Sequence, residues 1–173
     1  MKRIVLVFGL IAGAVMSVMM IVTMRFHDQI GFTSRGLIVG YTSMVLAFLM
    51  VYFGVRTYRD TVGGGSVSFG RGFLVGLCIM LVASACYVAT WEVVYHEMFP
   101  DFATKYSAHE IEKVRASGAP QAQIDAKVRD MARFEEMYKN PLINIALTFL
   151  EPLPVGLLFT LGSAWILRRR RVA

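Results

Sequence analysis

Asn144, Thr148 and Glu151 fall at i, i+4 and i+7 in an otherwise apolar stretch, a spacing that lines an amide, a hydroxyl and a carboxylate along one face of a helix. Pro152 and Pro154 follow at once. Each proline lacks an N–H and so frees a carbonyl one turn back, at Thr148 and at Leu150. A charged side chain near the centre of a bilayer costs about 2.5–3.5 kcal/mol on insertion scales, so Glu151 is expected to face a bundle interior and there find partners or hold a proton. An acid beside free carbonyls in a broken helix has the chemistry of an ion or substrate site. It has equally the chemistry of a structural glutamate that fixes helix register. Ser17, Ser43, Ser84 and Tyr87 fall at comparable depth in other apolar stretches and are the candidate donors.

A second constellation lies in WEVVYHEMFPDF, where Trp91, Glu92, Tyr95 and His96 form a candidate interfacial cluster. Glu92 and His96 are one helical turn apart, and a metal shared with Asp101 or His109 is the sharpest chemistry they suggest. Two ligands at i, i+4 make only half a site, however, and no HExxH pattern or Cys/His cluster accompanies them. An interfacial hydrogen bond is the expected role, with no metal, no cofactor and no catalytic residue. Tyr87, Trp91 and Tyr95 recur at four-residue steps, as in an aromatic belt at a membrane boundary. Cys78 and Cys86 are separated by about 12 Å along a helix. That is too far for a disulfide, and they read as packing residues. The glycine-rich TVGGGSVSFGRG lacks the Lys-Ser/Thr of a phosphate-binding loop and is expected to be a flexible turn.

The elements that must position these residues are membrane helices. The chain has 173 residues, 56% of them hydrophobic and only 17% charged, with a mean hydropathy of +0.56. A hydrocarbon core needs about 20 apolar residues per helix. Four stretches qualify, at 4–24, 37–55, 73–94 and 142–167. The first runs past the roughly 7–15 residues of a signal-peptide core, so it is expected to be a retained helix.

The net charge of +6 is unevenly distributed. Lys2, Arg3, Arg56, Arg59, Arg71 and Arg168 to Arg171 fall in short segments on one side of the spans. Arg25, Arg35 and the nearly neutral 95–141 segment fall on the other. The positive-inside rule then puts both termini in the cytoplasm. Within 95–141, Ser107 and Glu110 have the spacing of a capping box, and Gly118 and Pro120 punctuate the segment. Helices are expected over 107–115 and 121–139. Ile124, Val128, Met131, Phe134 and Tyr138 make an apolar stripe along the second.

Small-xxx-small pairs stand at Gly9 and Gly13, Gly36 and Gly40, and Gly72 and Gly76. They suit close helix packing within one chain or a dimer seam. The sequence therefore predicts one all-α domain over 1–173, a four-helix transmembrane bundle with an extracytoplasmic helical hairpin between spans three and four. Its expected partners are the lipid bilayer and a second copy or other membrane proteins; no nucleic-acid partner is expected.

YRD at Tyr58 to Asp60, SFG at Ser68 to Gly70, PDF at Pro100 to Phe102 and EPLPVG at Glu151 to Gly156 resemble, in the same order, a bacterial integral-membrane family known as domain of unknown function 4199. The resemblance implies a bacterial inner-membrane location and the four-span layout. It implies no activity, ligand or catalytic residue. The expected function is that of a non-enzymatic accessory or scaffold component. A small proton- or ion-coupled carrier using Glu151 is the alternative, and a membrane metalloenzyme using Glu92, His96 and His109 comes last.

Overall fold

The computed structural model describes residues 1–26 and 34–168, and the side chains of Ser34 and Arg35 also fall outside the described set. The charge readings that rest on Arg35 and on Arg169 to Arg171 therefore lie outside the described residues. What is described is all-helical apart from turns and an isolated bridge. Its elements are α1 (Lys2–Arg25), α2 (Ser34–Thr61), α3 (Phe69–Glu97), α4 (Phe102–Ala116), α5 (Gln121–Tyr138), α6 (Pro141–Leu150) and α7 (Leu153–Leu167).

Among the described residues, three helices are long and apolar enough to cross a membrane: α1, α2 from Gly36, and α3. Taken together as one broken span, α6 and α7 make a fourth. The all-α membrane bundle is thus the fold. The helices run past the apolar stretches that announced them, α2 to Thr61 and α3 to Glu97, because apolarity marks hydrocarbon depth and a helix need not stop at the hydrocarbon edge.

The chain divides into two compact units, Met1–Trp91 with Phe149–Ala173, and Glu92–Thr148. In the first, the bundle, α2 packs on α1 and on α7. Its core is built from Ala12 and Met16 of α1, Phe48, Val51 and Val55 of α2, Val75, Ile79 and Met80 of α3, and Leu167 of α7. Glycines set the spacing between helices. A Cβ on Gly13 would stand 2.6 Å from Cys86 Cβ, and one on Gly9 would stand 2.7 Å from Val82 Cβ, so α1 meets α3 nearly backbone to backbone. Gly72 faces Ala164 and Gly76 faces Thr160 across the α3–α7 seam. Two of the three small-residue pairs thus serve packing within the chain. Gly40 instead opens onto free space. The hydroxyls of Ser17 and Thr90 are hydrogen-bonded at 2.7 Å, adding a polar tie between α1 and α3.

The glycine-rich segment between α2 and α3 is a closed turn. Gly63 N donates to Tyr58 O and Gly65 N to Arg59 O. Gly64 and Gly65 adopt φ of 59° and 85°, a region that side chains other than glycine rarely enter. Val67, buried just beyond the turn, forms a parallel bridge with Arg168 at the end of α7. The Arg168 guanidinium lies 3.4 Å from the Trp165 ring centroid, a cation–π contact.

The second unit is built on the α4–α5 hairpin. Two expectations need correction. Helix α4 begins at Phe102, with Asp101 at its N-cap and no side-chain capping bond, so Ser107 is an interior residue and the capping box is not used. The aromatic rings explain the longer helix. Phe102 lies 5.9 Å from Tyr138, and Tyr106 lies 5.5 Å from Phe134, so a helix that began at Ser107 would release both contacts. Helix α5 matches the expected stretch to within a residue, and Tyr138 is the buried end of its stripe. Val128, in the same stripe, is exposed.

Ion pairs edge the hairpin. Lys127 Nζ donates to Glu110 Oε2 at 2.8 Å, and Lys113 stands 3.7 Å from the same carboxylate. The hydrogen bond from Lys127, aided by the neighbouring cations, holds Glu110 below the usual carboxylate range. Asp101 is likewise lowered by its hydrogen bond from Lys105. Gly118, at φ 71°, reverses the chain between α4 and α5.

Candidate functional site

The prolines of the last span do not kink one helix; they start another. Pro152 is the N-cap of α7 and Pro154 lies in its first turn, where a missing N–H costs nothing because that donor has no partner within the helix. Gly156 N returns to Pro152 O at 2.9 Å. Glu151 therefore stands in the turn between α6 and α7, outside the helical phase that would have aligned it with Asn144 and Thr148.

Asn144 and Thr148 belong to the hairpin unit and Glu151 to the bundle unit. Asn144 and Thr148 are buried in α6, where Thr148 Oγ1 donates to Asn144 Oδ1 at 3.3 Å. Glu151 Oε2 accepts a hydrogen bond from Tyr87 Oη of α3 at 2.8 Å. The side chain retains exposed surface, although protein lies close around it.

Among the four candidate donors, Tyr87 is the one that reaches Glu151. Ser43 donates to its own helix at Val39 O (2.7 Å), and Ser17 pairs with Thr90. Ser84 is fully buried and its Oγ has no partner.

The α3–α7 seam holds a second buried hydroxyl that the sequence reading passed over. Thr160 Oγ1 is also without a partner, in a residue with no exposed surface. The signal was present in the spacing of Gly156, Thr160 and Ala164, three small residues at four-residue steps. That stripe faces α3, where a Cβ on Gly156 would meet Met80 Cγ at 2.5 Å.

Of the second constellation, Glu92, Tyr95 and His96 lie together in the hairpin unit, and Trp91 belongs to the bundle unit. Trp91 is buried. His96 Nε2 lies 3.6 Å from Glu92 Oε2, and the Tyr95 ring packs against His96 at 5.2 Å and against Tyr138 at 5.5 Å. Glu92 Oε1 is buried without a hydrogen-bond partner. Among the described residues no group of three His, Cys, Asp or Glu side chains is arranged to hold a metal. Cys78 and Cys86 are free thiols.

With this geometry in view, comparison with known families is decisive for kinship. The family model described as Protein of unknown function (DUF4199) matches residues 7–169. The chain belongs to this family. The match runs from within α1 to just past the end of α7. Comparison with curated proteins and with solved structures found no match.

Proposed function

We propose that this member of the family is a non-enzymatic, multi-pass component of a bacterial inner membrane, acting as an accessory or scaffold subunit with both termini in the cytoplasm. The observation that carries the reading is the close approach of α1 to α3 at Gly9 and Gly13, repeated between α7 and α3 at Gly156. Helices in lipid lack a hydrophobic drive toward one another and associate through van der Waals contact, so backbones brought together this closely make a firm, dry bundle suited to holding a shape. Gly40, open on the outside of α2, supports a second copy or another membrane protein as partner.

The orientation rests on the basic residues at Lys2, Arg3, Arg56, Arg59, Arg71 and Arg168. Reporter fusions at Gly64 and Gly118 should report opposite compartments, with Gly64 cytoplasmic. The same compartment for both would overturn it.

A second reading, a small proton- or ion-coupled carrier, is favoured by one observation: the Tyr87–Glu151 hydrogen bond at a break in an apolar span. Flux measured in liposomes separates the readings. A scaffold gives no pH-dependent flux with wild type or Glu151→Gln, whereas a carrier gives flux that the variant loses. A metalloenzyme built on Glu92, His96 and His109 has least support, and metal analysis of the purified protein tests it.

A further inference from the structure

Glu151 stands apart from the ion-paired acids Asp60, Asp101 and Glu110. Asp60 closes α2 beside Arg56 and Arg59, and Asp101 and Glu110 pair with lysines in the hairpin. Glu151 lies at the break of an apolar span, with exposed Leu150 before it and exposed Leu158 beyond. Its two oxygens are inequivalent. Oε2 is taken by the Tyr87 hydroxyl, while Oε1 has no hydrogen-bond partner among the described residues. Among the described residues of the bundle unit, the charged side chains of Lys2, Arg3, Arg25, Arg56, Arg59, Asp60, Arg71 and Arg168 stand toward helix ends. Tyr87 of α3 is the titratable group that faces Glu151 within this unit.

An exposed carboxyl in this position cannot meet hydrocarbon as a bare anion without the insertion cost of a charge. A proton on Oε1 removes that charge and leaves the Tyr87 bond intact. We infer that Glu151 is a proton-binding site on the bundle's outer surface, reached from the hydrocarbon phase, with Tyr87 holding Oε2 and the exchangeable proton on Oε1. The site stands whether the protein is a scaffold or a carrier, because occupancy by a proton is separate from its passage across the membrane.

Such a carboxyl has a distinctive reactivity toward apolar carbodiimides. The O–H adds across one N=C bond: the carboxyl oxygen bonds to the central carbon and the proton moves to nitrogen. The O-acylisourea then rearranges to an N-acylurea by transfer of the acyl group to nitrogen, with no atom lost and no oxidant needed. Only the protonated acid reacts in this way, and only a reagent dissolved in the lipid reaches it.

The test uses the full chain in liposomes, treated with dicyclohexylcarbodiimide or with a water-soluble carbodiimide across a pH series and read by peptide mass spectrometry. The expected result is one adduct on Glu151 with the apolar reagent, fading as pH rises and lost in Glu151→Gln, while the soluble reagent labels hairpin acids instead. No adduct on Glu151 at acidic pH would overturn the site. Equal or faster labelling by the soluble reagent would overturn its access from lipid. A flux measurement on the same liposomes reports transport separately, so a failed carrier and a failed proton site give different outcomes.

Discussion

The bundle and the hairpin are both made of packed helices, yet they are held by different forces. In the hairpin, Phe102, Tyr106, Phe134 and Tyr138 stack along one stripe, and lysine–carboxylate pairs edge it, Lys127 with Glu110 and Lys139 with Glu136. That is the construction of a helix pair in water, where removing apolar area from solvent supplies about 25 cal/mol per Å². In the bundle the outward faces are themselves apolar, as at Leu6, Leu10 and Leu46, and hydrophobic transfer gives nothing. There the glycines work by letting van der Waals surfaces touch. Aromatic rings fill the seam of one unit, and in the other glycines let neighbouring helices bring their core side chains into contact.

Truncation is the most forceful way to break this contrast. Tyr138→Ala removes the ring that touches Tyr95, Phe102 and Phe134, and should destabilise the hairpin by about 3 kcal/mol or more, the scale of a buried aromatic truncation in a water-soluble core. Amide exchange across Gln121–Tyr138 should rise while exchange in α1 stays slow. Equal loosening of both would show that the units do not melt separately.

Addition is the complementary break. Gly13→Leu drives a side chain into Cys86 and should cost about 1–3 kcal/mol in the bundle, the range for overpacking. Gly40→Leu meets open space and should leave thermal stability in detergent nearly unchanged. If the two variants melt alike, close approach is not what holds the bundle.

The smallest effect is electrostatic and sharpens the comparison through pH. Glu110 is lowered in the folded hairpin, first by the Lys127 hydrogen bond. A carboxylate lowered on folding contributes stability that is present above its unfolded value and is lost as pH falls through the folded one. Hairpin stability should therefore decline below about pH 5, by about 1 kcal/mol for a part-buried pair still in reach of solvent. Glu110→Gln should flatten that acid limb as followed by circular dichroism, and an unaltered limb would assign the acid sensitivity elsewhere.

Much of this was legible in the chain. Hydropathy alone marks the spans, because hydrocarbon imposes one helix length on any sequence that crosses it. Pro120 and Gly118 bound α5 correctly because both act locally on the backbone. Helix α4 was misjudged because its start is set by Phe102 and Tyr106 reaching another helix, which no local rule contains. The site was half legible. Composition and depth singled out Glu151, but helical phase grouped it with Asn144 and Thr148, and the helix that carries those two ends at Leu150, one residue before it. Tyr87 stood among four candidate donors, and only the packing of α3 distinguishes it. The Gly156–Thr160–Ala164 stripe was written in the sequence and went unread, since a threonine hides well among small residues.

The bundle unit is also discontinuous: Met1–Trp91 is completed only by Phe149–Ala173. Chains are synthesised from the N-terminus at roughly 5–20 residues per second, so α1, α2 and α3 are in place several seconds before α7 exists. Through that interval the face of α3 carrying Gly72, Gly76 and Met80 has no α7 to cover it, and the hairpin is made in the meantime. The last helix then arrives as a closing stave, and the Val67–Arg168 bridge joins a turn made early to nearly the last residue described. Until α7 arrives, that face is open to any helix that offers small residues to it.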